Sequence, residues 1–353
     1  MKIIHTADLH LDSSLSTHLS GTKAKERKKE LLYSFERMIN FAKNNDVKVI
    51  IIAGDMFDKK HIAITNKKKV FDLINDAKNI DFLYLTGNHD EEILDENEVP
   101  KNLKLFNYVW NTYSYENVDI SGINLTKETN KYLYDTLMLD QSKVNIVTMH
   151  GQIAHHRSNE DISLPLLKDK GIDYLALGHI HQYQCEKLDD RGVYCYCGCL
   201  ESRGFDEVGE KGFVLLEVKG NKITNTFIKN SLRSMYCYQV DISDVTSWPT
   251  LKNKVNEKIS HITSKDMVKI ELVGSFKLNQ EKYIEELENY LLDKFYFAKV
   301  KDLSRLYIDP SEYENEKSLK GEFIKEVKNT RLSEQLQNDI ILCGIKALAG
   351  EEI

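Results

Sequence analysis

The 353-residue sequence has no stretch of about 18 consecutive apolar residues, which leaves no candidate for a membrane-spanning helix and no membrane partner. Its first residues, MKIIHTADLH, run directly into a strand-like pattern and lack the basic, apolar and small-residue parts of a secretory signal, so a cytoplasmic location is expected. Among its six cysteines there is no CxxC spacing, although Cys185, Cys195, Cys197 and Cys199 crowd into fifteen residues. The alternation of the last three puts them on one face of a strand, and reduced, mostly buried thiols are the expectation, with a zinc site as the other reading. Positive net charge is also missing: a formal charge of -7 argues against a chain that coats nucleic acid by itself. The local basic runs 23–29 and 66–70 read as solvated helix faces or as phosphate contacts. Internal repeats and low-complexity linkers are absent too.

What the chain does have is ample apolar material, 41% of residues, and a length that suits one large domain plus a smaller one. KIIHTA (2–7), VKVIIIA (47–53) and IDFLYLT (80–86) read as strands, separated by amphipathic helices at 23–44 and 65–78. This β-α-β-α-β series is the pattern of a parallel sheet with helices on both faces. From 100 to 150 the pattern is choppier, with short strands at 103–110 and 118–123 and a helical segment at 128–138, before the apolar strands KVNIVTMH and IDYLALGHIH. Residues 192–228 read as a β-meander. Beyond about 234, two strand-helix pairs and a last strand at 295–303 suggest a compact α+β unit, followed by two helices in 312–350.

Five polar clusters each follow an apolar strand: Asp8-Leu-His10, Gly54-Asp55, Gly87-Asn88-His89-Asp90, His150-Gly151 and Gly178-His179-Ile-His181. Ligands in open α/β sheets bind at the carboxyl ends of strands, so a parallel sheet would gather all five at one edge. Carboxylate, amide and imidazole are the donors that hold manganese, iron, zinc or similar divalent ions, and no thiol is among them. The adjacent glycines let the backbone turn tightly there. His5, His18, His61, His155, His156 and His261 lie outside the clusters and read as structural or surface residues.

DLH, GDMFD, GNHDE, MHG and GHIH together resemble the calcineurin-like metallophosphoesterase superfamily. HTADLHLDSSL, GCLESRGFDEVGEKGF and KGEFIKEV...LCGIKALAGEEI narrow the resemblance to the SbcD-type DNA repair exonucleases and their bacterial YhaO-like branch, with Cys199 standing where a small residue such as Ser is expected. The resemblance implies a two-sheet α/β sandwich over residues 1–234, a small α+β, DNA-contacting cap over 235–305, and a C-terminal helical tail over 306–353. It implies two divalent ions, Mn2+ foremost with Fe2+, Zn2+ or Mg2+ as others, one held by Asp8, His10, Asp55 and His181, the other by Asp55, Asn88, His150 and His179. Asp55 would bridge them. His89 would stabilise the transition state and protonate the departing oxygen, with Asp58 orienting its ring. Arg203 reads either as a phosphate contact or as a salt-bridge partner of Glu201, Asp206 or Glu207.

The function so implied is a manganese-dependent DNA nuclease, exonuclease or endonuclease, acting in DNA repair or end processing with DNA and an SbcC- or YhaN-like SMC-type ATPase as partners. Homodimers are common in that family. The same centre would also serve a small-molecule or nucleotide phosphodiesterase or phosphatase, and a non-catalytic partner-binding subunit is a third reading that intact ligand positions disfavour. The apolar stripe Ile340, Ile341, Ile345 and Leu348 in the tail suits either docking on the ATPase or packing against the chain's own second domain.

Overall fold

The computed structural model describes residues 1–13, 15, 19, 21–58, 63–85, 99–158, 161–277, 280–307 and 317–349. They divide into two compact units, Met1–Ser234 and Met235–Ile353.

In the first unit, the three leading apolar runs form β1 (Lys2–Thr6), β2 (Val47–Ala53) and β3 (Asp81–Leu85), which lie parallel in the order they occur and continue into β4 (Leu103–Leu105). Two long antiparallel strands, β13 (Gly212–Lys219) and β14 (Lys222–Lys229), complete this six-stranded sheet on the β1 side. A second six-stranded sheet holds β5 (Asn111–Tyr115), β6 (Val118–Gly122), β7 (Val144–His150), β10 (Tyr174–Gly178), β11 (Gln184–Lys187) and β12 (Val193–Tyr196) in the order β11-β12-β10-β7-β6-β5. Its four central strands are parallel and both edge strands antiparallel. A two-residue ladder of β8 (Ile153–Ala154) and β9 (Ile162–Ser163) follows β7.

The run VKVIIIA shows how the layers arise. Its Ile50 and Ile52 face α1 (Gly21–Asn44) and α2 (Ile64–Asn75), meeting Leu31, Phe35, Met38, Ile39, Val70 and Ile74. Val49, Ile51 and Ala53 point the other way and meet Val118, Ile120, Val144, Ile146, Tyr174 and Ala176 of the second sheet. The outer face of that sheet, with Val147, Met149, Leu175 and Leu177, is covered by Leu133, Leu137, Leu164 and Leu167. Each fully buried aliphatic side chain contributes about 1.5–3 kcal/mol, so two-sided burial of one short strand is a large share of the stability. The periodicity predicts one parallel sheet with helices on both faces; the observed arrangement is helix, sheet, sheet, helix. A run buried on both faces looks the same whether a helix or a second sheet covers its far side.

The segment 128–138 is not one helix. It forms a short 3-10 turn at Thr129–Lys131 and the four-residue α3 (Leu133–Thr136). Thr129 Oγ1 accepts from Thr126 N at 2.7 Å and donates to Asn124 O at 3.0 Å, and such side-chain bonds to the local backbone compete with helix propagation.

The second unit has a parallel sheet β15-β16-β18 (Met235–Asp241, Met267–Val273, Phe297–Asp302) and a short ladder of β17 (Ser275–Phe276) with β19 (Arg305–Leu306). Val240, Val268, Ile270, Leu272 and Ala298 pack against Leu251, Val255 and Ile259 of α4 (Trp248–Ile259) and Leu287 and Leu291 of α5 (Ile284–Lys294). Helix α5 begins four residues later than its periodicity predicts, because Tyr283 takes a left-handed conformation (φ 52°) that a helix cannot include. The tail forms α6 (Leu319–Lys328), capped by Ser318 on Gly321 N at 3.0 Å, and α7 (Glu334–Ala349). Ile324, Val327 and the fully buried Ile341 enter this unit's core, with Ile340 and Ile345 partly buried against it, so these members of the tail's stripe pack internally; the side chain of Leu348 lies outside the described residues.

Candidate metal centre

The carboxyl ends of β1 and β2 in one sheet and of β7 and β10 in the other open onto the same place. The loops after β1 and β2 are zipped by backbone bonds, Asp8 N to Gly54 O at 3.1 Å, His10 N to Asp55 O at 3.0 Å and Leu11 N to Met56 O at 2.9 Å. On the opposite sheet Gly151 N bonds Gly178 O at 3.2 Å. The seam between the sheets is closed by His179 N, which donates to both oxygens of Asp8 at 3.0 Å.

These contacts demand unusual backbone. Asp8, His10, Asp55 and His179 all have positive φ (50°, 44°, 51° and 103°), a concentration of strained residues of the kind found at functional sites. Two glycines make room for one imidazole: a Cβ on Gly54 (φ 95°) would lie 2.0 Å from His150 Nδ1, and one on Gly178 would lie 2.7 Å from it and 1.9 Å from Ala53 O.

Six of the seven metal-ligand positions expected from sequence, Asp8, His10, Asp55, His150, His179 and His181, converge here. Asn88 and His89 lie outside the described residues. Asp8, His10 and His181 bring ligand atoms within 4.8 Å of one another, and so do Asp8, Asp55 and His150. Asp8 is common to both groups, yet Asp55 also reaches both: its Oδ2 is 3.8 Å from His10 Nε2 and 3.5 Å from His150 Nε2. The His179 ring stands edge-on to that of His150, centroids 5.5 Å apart.

The donor set fits divalent ions on physical grounds. Asp55 Oδ1 and His150 Nε2 are buried and have no hydrogen-bond partner among the described residues, a costly state without a ligand. His150 Nδ1 donates to Ala53 O at 2.8 Å, which leaves the lone pair on Nε2. His181 Nδ1 donates to Glu207 Oε1 at 2.7 Å, and His10 Nδ1 faces Asp58 Oδ1 at 3.1 Å. The remaining nitrogens, His10 Nε2 and His181 Nε2, then turn their lone pairs on each other at 3.2 Å, a repulsion that a cation relieves.

The titration behaviour agrees. Burial pushes the Asp8 carboxyl up to about 7, partly opposed by the charge of His181. Burial lowers the pKa values of His10 and His150 against the pull of Asp58 and Asp55, so both rings are neutral near pH 7. His181 is also pushed down by burial, but the Glu207 hydrogen bond and the Asp8 charge outweigh this and raise it. Glu207 and Asp58, despite burial, are held down to about 2 by their partners, chiefly the His181 and His10 rings.

Glu207 is the residue that reading the sequence did not assign to the centre; it entered only as one of three partners for Arg203. Its sole signal was its place in the acidic stretch after Arg203, 26 residues beyond His181. Arg203 takes the salt-bridge alternative: its guanidinium lies 3.1 Å from Glu207 and 3.0 Å from Asp58, joining the two carboxylates behind the histidines. Asp58 thus lies against His10 and Arg203. Among the described residues the cysteines form no cluster with metal-binding geometry.

Residues 1–183 match the model of the calcineurin-like phosphoesterase family. Several relatives carry the similarity through most of the chain. The DNA double-strand break repair protein Mre11 of Sulfolobus acidocaldarius is 23% identical over 82% of this chain and 79% of its own length. A subunit of the nuclease SbcCD from Staphylococcus saprophyticus is 26% identical over 76% of this chain and 79% of its own. An uncharacterised metallophosphoesterase of Bacillus subtilis, YhaO, is 25% identical over 75% and 69%. With its family model covering more than half the sequence and its strand ends gathered around one set of carboxylates and imidazoles, the chain belongs to the calcineurin-like phosphoesterase family.

Proposed function

We propose that this protein is a metal-dependent DNA nuclease that hydrolyses phosphodiester bonds during DNA repair or end processing. The observation that carries the hydrolytic part is the shared donor set at the sheet seam, in which Asp55 reaches both groups of ligands. DNA as substrate is supported by the relatives named as a double-strand break repair protein and a nuclease subunit.

Asp8, His10, Asp55 and His181 would hold one divalent ion, and Asp55, Asn88, His150 and His179 the other, with Mn2+ the first choice. When bound, such a pair supplies a water of lowered pKa and a clamp on phosphate oxygens. The chain's own residues do the rest. Asp58 and Glu207 fix the rings of His10 and His181 so that Nε2 faces the centre, and Arg203 holds these carboxylates in place. His89 follows Asn88 and is assigned the proton transfer to the departing oxygen.

The test offers labelled linear DNA and bis(p-nitrophenyl) phosphate to the purified protein with manganese. Cleavage of DNA, abolished in His89→Asn with metal content unchanged, is expected. Turnover of the small ester alone would instead favour a small-molecule phosphodiesterase.

We also propose that the protein works with an SMC-type ATPase, because one relative is named as a subunit of a two-component nuclease. Ile341 and its neighbours are used in the second unit's core, which leaves the exposed Leu319, Leu332 and Leu336 as the docking residues. Substituting Leu319 and Leu336 together by Asp should abolish co-purification with the ATPase, and unchanged co-purification would sink this assignment.

A further inference from the structure

Away from the metal centre, β11 and β12 pair antiparallel with Cys185 directly opposite Cys195. Directly opposed residues on neighbouring antiparallel strands have Cα atoms about 4.5–5.5 Å apart, inside the span that a disulfide bridges. The two thiols already share a hydrogen bond. β11 is the edge strand of its sheet, and Cys185 is half-buried there, while Cys195 is fully buried behind it. A second contact singles out Cys185: Asn225 on β14 donates its Nδ2 hydrogen to Cys185 Sγ at 2.9 Å.

We propose that Cys185 and Cys195 are a peroxide-sensitive thiol pair that closes reversibly to an intrachain disulfide. Hydrogen bonds from Cys195, then from Asn225 and Tyr183, outweigh burial and bring the Cys185 thiol down to about 7, whereas Cys195 is pushed up and keeps its proton. The accessible member is therefore the nucleophile and the buried member the resolving thiol. The Cys185 thiolate attacks one oxygen of hydrogen peroxide; the O–O bond breaks, and the departing hydroxide takes a proton to become water. The Cys195 sulfur then attacks the sulfenic sulfur, its S–H proton leaves with the displaced hydroxyl as a second water, and the S–S bond forms. Two thiols lose two electrons, and one peroxide becomes two waters.

The strand register is already that of the product, so closure needs no unfolding, and cross-links in such exposed positions are the readily reduced kind. Cys197 and Cys199 are fully buried with raised pKa values, and Cys197 donates to Gly198 O at 3.3 Å, which leaves them inert by comparison.

The test uses the full chain carrying Cys343→Ser, which removes the exposed cysteine of α7. After limiting hydrogen peroxide, alkylation, unfolding and digestion, mass mapping should find a Cys185–Cys195 linked peptide, two hydrogen atoms lighter than its parts and restored by dithiothreitol. Asn225→Ala should slow its appearance several-fold. In Cys195→Ser, dimedone should trap Cys185 as its sulfenic acid. The proposal is overturned if Cys185 remains fully alkylatable at peroxide concentrations that oxidise Cys343 in the unsubstituted chain. It is equally overturned if Cys185 ends as a sulfinic acid or linked to a different cysteine.

Discussion

The two sides of the metal centre hold their imidazoles differently. His10 and His181 each turn Nδ1 to a carboxylate, Asp58 and Glu207, and those acids are tied together by Arg203. His150 instead donates Nδ1 to a main-chain carbonyl, Ala53 O, on the neighbouring sheet, in a gap kept open by Gly54 and Gly178. One side is positioned by side chains and charge, the other by backbone and absence of bulk. A carboxylate makes its imidazole more basic and is sensitive to single-atom substitution, whereas a carbonyl can be disturbed only by moving the chain.

Substitution of the glycines should break the backbone-positioned side most severely. Gly54→Ala places a methyl 2.0 Å from His150 Nδ1 at a φ of 95°, so the ring must leave its site. The loss expected is about 3 kcal/mol or more of stability, together with the metal held by His150, read by thermal melting and metal analysis. A folded Gly54→Ala protein with both metals and an unchanged melting temperature would remove the packing argument.

Smaller effects are expected on the side-chain-positioned half. Glu207→Gln and Asp58→Asn keep the shape but lose the charge, and each should weaken one metal site by about 10–100-fold in a Mn2+ titration. The site containing His150 should be nearly unaffected, and equal weakening of both sites would erase the distinction between the halves.

The smallest effect is a pH dependence. With its carboxyl pushed up to about 7, Asp8 in the metal-free fold retains a proton that the unfolded chain releases near 4, so stability falls as pH rises between these values. His181, also raised, acts in the same direction as pH rises through its folded value, while Asp58 and Glu207, held near 2, stay charged throughout the window and lose their contribution only in stronger acid. Metal replaces the retained protons. The rise in melting temperature on adding Mn2+ should therefore be larger at pH 8 than at pH 5, and the reverse order would contradict the protonation scheme.

Much of this centre was legible in the sequence because its ligands stand at the ends of unbroken apolar runs, as Asp55 does after VKVIIIA and His150 after KVNIVTM. Pattern alone did not disclose that β1, β2 and β3 belong to one sheet and β7 and β10 to another, since strands buried on both faces carry no mark of what covers them. Nor did it place Glu207 behind His181, because contacts across 26 residues and a sheet edge leave no local periodicity. Asp58 was tied by its motif to His89, but the folded chain sets it against His10, a relation visible only once the β1 and β2 loops are zipped together.

Metal stoichiometry of Asp55→Ala tests the central claim most directly. The unsubstituted chain should bind two Mn2+ ions. Because Asp55 Oδ2 lies within 3.8 Å of one histidine nitrogen and 3.5 Å of the other, the variant should lose both ions together, with turnover reduced on the order of 10³-fold or more. Two ions per chain in Asp55→Ala would contradict the account of Asp55 as the carboxylate shared between both halves.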